Sequence, residues 1–149
     1  MIEIALFQPD IAPNAATIIR MAACLGLKVT IIEPAGFAWT DSSFRRAGMD
    51  YLDRAAVRRT ASWQAFRQET AARRLVLLST KAETAYTKFA FSADDVIIVG
   101  QESSGAPPLV HDAVAARILI PMQPGERSLN VSLACAMVTG EAMRQLGKF

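Results

Sequence analysis

Histidine is almost missing from this chain: His111 stands alone among 149 residues, with only two cysteines, Cys24 and Cys135. A His/Cys metal centre and a disulfide scaffold both lack their raw material. Catalysis by a histidine-based triad would rest on His111 alone. No two glycines stand two residues apart, so there is no Gly-x-Gly-x-x-Gly dinucleotide fingerprint, and no P-loop occurs. Apolar runs break at charges or glycine well short of a membrane span. The opening Met1-Ile2-Glu3-Ile4 has neither the basic start nor the long apolar stretch of a secretory signal. Sparse cysteine and no signal together lead to the expectation of a reducing cytoplasm.

Apolar residues are plentiful, at 52% against 20% charged, which supplies a core and excludes intrinsic disorder. The length fits one domain, residues 1–149. Arginine outnumbers lysine twelve to four. Residues 45–74 hold eight arginines against Asp50, Asp53 and Glu69, a local +5 within a chain of net +2. Such a segment is either a solvated face or a patch that docks a nucleic-acid backbone, for which the planar guanidinium fork is suited.

Apolar patterning alternates short strands with helices. Strands are expected at 2–7, 29–32, 55–59, 75–79, 96–99 and 118–120. Helices are expected from Ala15 to Leu25 behind an Asn14 cap, near 42–48, after Ser62, from Pro107 to Ala113, and from Asn130 to Leu146. This is an α/β domain with a mainly parallel sheet flanked by helices. In such sheets ligands sit at the carboxyl ends of strands. The last helix is apolar or small nearly all round, so it either packs wholly inside its own domain or meets a second subunit.

Three loops leave strand ends with unusual residues. The first runs into Asn14 and Arg20; an arginine in an apolar helix needs a partner if buried. The second is Gly100-Gln101-Glu102-Ser103-Ser104-Gly105, where a glycine at the strand end lets another group approach the backbone. The third is Ile120-Pro121-Met122, continuing to Ser128-Leu129-Asn130-Val131-Ser132, where Ser128 or Asn130 caps the last helix.

In order and spacing these loops resemble the SPOUT class of RNA methyltransferases, within the SpoU-like ribose 2′-O-methyltransferases. The resemblance covers essentially the whole chain. It includes Ile31-Ile32-Glu33-Pro34, Gly36-Phe37, Arg45-Arg46-Ala47-Gly48-Met49-Asp50-Tyr51 and Arg144-Gln145-Leu146-Gly147. These segments are most similar to the small tRNA (cytidine/uridine-2′-O)-methyltransferases that act on the anticodon wobble nucleotide.

The resemblance implies a C-terminal trefoil knot, a homodimer, a tRNA substrate, S-adenosylmethionine as methyl donor and no metal. It implies that Leu78, Gly100, Ile120, Ser128 and Leu129 hold the cofactor. Arg20, Asn14, Ser128, Glu102 and Asn130 are the implied catalytic set, with Glu102 fixing its loop or pairing with Arg20. Arg45 and Arg46 are expected to bind RNA. Three positions depart from the family: Ala15-Ala16 replaces Thr-Gly, Ser104 replaces arginine, and Gly140 stands where tyrosine is common. The alternatives are another tRNA or rRNA target, or an RNA-binding homologue without activity.

Overall fold

A computed structural model describes all residues, 1–149. The chain runs β1 (Glu3–Phe7), α1 (Ala12–Leu25), β2 (Lys28–Ile32), α2 (Ser42–Gly48), α3 (Tyr51–Arg54), β3 (Val57–Thr60) and α4 (Trp63–Glu69). It continues through β4 (Leu75–Leu78), β5 (Thr84–Ala85), a 3-10 turn (Tyr86–Lys88), β6 (Val96–Val99), α5 (Pro108–Ala113), β7 (Ala116–Leu119) and α6 (Val131–Gln145). All seven strands are parallel, in the order β3-β2-β1-β6-β4-β7-β5.

Successive residues of each inner strand face opposite layers. Ile4 and Leu6 join Val29, Ile31, Ile97 and Val99 under α1, α2, α3 and α6. Ala5 and Phe7 join Ile32, Leu77 and Ile98 under Phe66 of α4 and Val110 of α5. A sheet covered on both faces explains why these strands read as continuous apolar runs.

The expected elements appear with shifted ends. Asn14 does not cap α1: the helix starts at Ala12, with Ile11 at its N-cap and no side-chain cap bond. Pro13 fits the first turn, where its missing N–H costs nothing, and Ala15 and Ala16 favour helix and are fully buried. Asp41 and Ser62 do cap, accepting from Phe44 N (3.0 Å) and Ala65 N (3.1 Å). The strand expected at 118–120 lies at Ala116–Leu119. Its only outer neighbour is the two-residue β5, so exposed Arg117 interrupts the apolar signal. The short α3 and β5 left no periodic signal.

Strand order positions the site. β6 enters between β1 and β4, and β7 between β4 and β5, so the loops leaving β1, β6, β4 and β7 emerge side by side at the carboxyl edge.

Candidate active site

A cavity of about 350 Å³ opens at this edge, walled by the segments after β4, β6 and β7. Leu78, Gly100, Ile120, Ser128 and Leu129 all line it. Its size falls within the usual range for small-ligand sites. Leu78, Val99, Ile120, Leu129 and Val131 give it an apolar wall, and the Gly100–Ala106 loop gives it backbone polar groups.

That loop is folded on itself. Gln101 and Gly105 exchange two backbone hydrogen bonds of 2.9 Å. A Cβ on Gly100 would stand 2.5 Å from the Gly105 carbonyl carbon, so the close approach that requires glycine comes from the loop's own backbone. Gly105 turns the chain with φ +66°. Ser104 donates to Gln101 Oε1 at 2.6 Å, and Gln101 donates to the Gln8 carbonyl at 2.9 Å.

Glu102 joins three loops. It accepts from Asn14 Nδ2 at 2.9 Å and from the Val131 amide at 3.3 Å. Asn130 donates to Asn14 Oδ1 at 3.0 Å and caps α6, accepting from Ser132 N and Leu133 N. Of the two cap candidates, Asn130 is therefore the one used. The early helix start frees the Asn14 side chain from capping, and it bridges Glu102 to Asn130 instead.

Arg20 lies elsewhere. It is exposed and absent from the cavity wall. Its Nη1 donates to Met49 Sδ at 3.3 Å, and its guanidinium lies 5.0 Å from the Tyr51 ring centre. Of the two roles expected for Glu102, fixing its loop or pairing with Arg20, the pairing is absent: Glu102 binds Asn14, since α1 directs the Asn14 and Arg20 side chains differently. Arg20 escapes the burial cost by facing solvent.

The basic segment is largely committed to the fold. Six of its eight arginines hold carboxylates: Arg45–Asp53, Arg54–Asp50, Arg58–Glu69, Arg59–Glu33, Arg73–Glu3 and Arg74–Asp95. Arg46 and Arg67 have no acidic partner. Arg46 is therefore free for a phosphate, whereas Arg45 is half-buried and bound at 2.9 Å.

Sequence reasoning passed over Asp10, which accepts from the Glu102 amide at 3.1 Å and from the Ser103 hydroxyl. Burial pushes its pKa up, but the Ser103 and Glu102 bonds outweigh that and hold it below the usual carboxylate value. An acid between Pro9 and Pro13 at a strand end was the available signal. His111, Lys81 and Arg127 also reach the cavity. Burial, then Arg117 and Lys81, push the His111 pKa down, so it is neutral near pH 7. Cys135 is pushed up to about 12 by burial and stays a thiol. No three His, Cys, Asp or Glu side chains gather as a metal ion would require. No helix is long and apolar enough to cross a membrane.

Known proteins resemble this chain. A tRNA (cytidine(34)-2′-O)-methyltransferase of Ancylobacter novellus is 55% identical over 99% of this chain and 95% of its own length. The protein of that name from Escherichia coli (strain K12) is 42% identical, with coverage of 99% and 95%. A solved structure described as "Structural insights into the 2-OH methylation of C/U34 on tRNA" matches with TM-score 0.94 and 33% identity, covering 100% of this chain and 98% of that one. The SpoU methyltransferase AviRb from Streptomyces viridochromogenes, solved with AdoMet, shares the fold at TM-score 0.90 and 21% identity, covering 99% of this chain and 61% of its own. Residues 1–140 match the pattern of the SpoU rRNA Methylase family. With three strand-end loops meeting at one carboxylate beside a cavity, and with likeness along almost its whole length, the chain belongs to the SpoU methylase family.

Proposed function

We propose that this chain transfers a methyl group from S-adenosylmethionine to the ribose 2′-hydroxyl of the wobble nucleotide, position 34, C or U, in tRNA. The observation that carries this is the cavity at the ends of β4, β6 and β7, whose walls suit an adenosine-bearing cofactor. The named activities of the relatives point to the substrate.

S-Adenosylmethionine supplies an activated sulfonium methyl, so the protein has chiefly to position and to stabilise charge. Leu78, Gly100, Ile120, Ser128 and Leu129 hold the cofactor. Asn14, Glu102 and Asn130 hold the three loops in register. Ser128, exposed on the rim, orients the ribose hydroxyl. Arg20 clamps the neighbouring phosphate and the developing alkoxide. Guanidinium titrates far above neutral pH, so the proton leaves to phosphate or water. The same reading carries the trefoil knot, the single domain and a cytoplasmic location.

A homodimer completes it. On the outer face of α6, Leu133 is 60% and Met137 43% exposed, and Ile11 of the α1 entry is 40% exposed. A second copy covers this face, and Arg20 of one protomer serves the cavity of the other. That accounts for an arginine outside its own chain's cavity. A Cβ at Gly140 meets nothing within 4 Å, so a side chain there starts in open space, and Gly140→Glu should block pairing.

The test is nucleotide-resolution mapping of ribose methylation after incubating the protein with tRNA and S-adenosylmethionine. Methylation at position 34 is expected; methylation of rRNA alone refutes the substrate. Mixing inactive Arg20→Ala and Ser128→Ala proteins should restore about a quarter of wild-type activity through mixed dimers. No recovery after confirmed subunit exchange refutes the shared site.

A further inference from the structure

Tyr51, half-buried at the start of α3, carries two guanidinia. Arg20 stands 5.0 Å and Arg54 4.5 Å from its ring centre. Both cations are therefore within a Debye length of each other, about 10 Å at 0.1 M salt, and repel. Only one of them is neutralised: Arg54 reaches Asp50 at 3.2 Å, while Arg20 has no carboxylate and donates instead to Met49 Sδ.

Met49 adds an independent sign. Its φ of +53° and ψ of −147° lie in a region that glycine occupies easily and other residues rarely. Yet Met49 is 53% exposed, so core packing does not demand its side chain. A non-glycine residue held in that conformation brings its sulfur to Arg20. Two cations against one aromatic ring, with a single carboxylate on Arg54 and none on Arg20, present an opening for one further anion with oxygens for planar donors.

We propose that Met49 and Tyr51 are positioning residues that preset the Arg20 guanidinium, and that Arg20 and Arg54 together receive one backbone phosphate of the RNA substrate. The proposal rests on the tRNA methyltransferase reading and names a part of its RNA-binding surface. Arg54 supplies charge and a second fork. Tyr51 supplies a rigid face that keeps Arg20 from sampling the rotamers of a free surface arginine. Met49 fixes the guanidinium laterally.

The experiment uses the full chain, an anticodon stem-loop RNA and S-adenosylmethionine. Tyr51→Leu should lower kcat about tenfold through a displaced Arg20. Calorimetric cofactor affinity should not change, and Tyr51→Phe, which keeps the ring, should retain wild-type kcat. Met49→Gly, which relieves the backbone, should keep the melting temperature and lose kcat. Arg54→Gln should raise KM for RNA with little change in kcat, and reduce the log–log salt slope of RNA binding by about one. Equal kcat for the Leu and Phe variants, or an unchanged salt slope in Arg54→Gln, overturns the proposal. The binding arm needs no turnover. If the wild type methylates a different nucleotide, the position-34 reading fails, while the salt slope still decides whether Arg54 meets a phosphate.

Discussion

Arg73 and Arg20 both reach solvent, but their surroundings are opposite. At the amino edge of the sheet, Arg73 binds the Glu3 carboxylate and donates to the carbonyls of Met1 and Asp94. Glu3 is itself 7% exposed and also accepts from Thr30 at 2.5 Å. At the α1–α3 corner, Arg20 meets sulfur and an aromatic face and no acid. Charge count alone puts the nucleic-acid signal in residues 45–74, yet most of that charge is spent within the chain. Arginines left without acids meet a polyanion with no ion pair to give up, and Arg54 keeps only an exposed pair with Asp50.

The largest effect should come from Arg20→Ala, which lowers kcat about 10³-fold if its charge faces the reacting oxygen. Calorimetry should find cofactor affinity nearly unchanged. Full methylation by this variant would erase the contrast between the two arginines.

Arg73→Ala should do the reverse. It strips a buried carboxylate of its main partner and should cost about 1–3 kcal/mol in urea unfolding, with kcat intact at a permissive temperature. A loss of RNA binding without a loss of stability would place Arg73 among the functional arginines.

Arg46→Ala and Arg45→Ala sharpen the comparison inside one helix. Arg46, unpaired, should weaken tRNA binding about threefold to tenfold and lower the salt slope by about one. Arg45, bound to Asp53, should affect binding less and stability by up to about 1 kcal/mol. Equal binding losses would mean that the Asp53 pair opens on RNA.

The smallest effect concerns pH. The His111 pKa in the folded chain lies below its ordinary 6.5, so the unfolded chain takes up the proton first. Stability should therefore fall as pH drops from 6.5 through that lowered value. His111→Gln should show a smaller loss between pH 7.5 and pH 5.5 in urea titrations.

The strand and helix pattern was legible because buried parallel strands and capped helices write themselves locally: Val96–Val99 and the helix after Ser62 are examples. The cavity residues were legible through likeness, and the structure gathers all five of those expected. Two things were hidden. Asn14 looked like a cap because asparagine is among the favoured N-cap residues, whereas Pro13 fits inside the first turn and frees Asn14 for Glu102. Partners of arginines were hidden because Arg73 meets Glu3 across 70 residues, a separation that local composition cannot read.

The Asn14–Asn130 bond has a consequence for synthesis. It closes a separation of 116 residues, and Glu102 is tied to both ends of that span. A nascent chain can pair β1 with β2 early, but no active pocket exists until the start of α6 has left the ribosome. Loop closure over such a distance is slow compared with local helix formation. Activity thus arrives last, after the sheet, and a chain interrupted before residue 130 keeps Glu102 against Asn14 but lacks the Asn130 bond that completes the cluster.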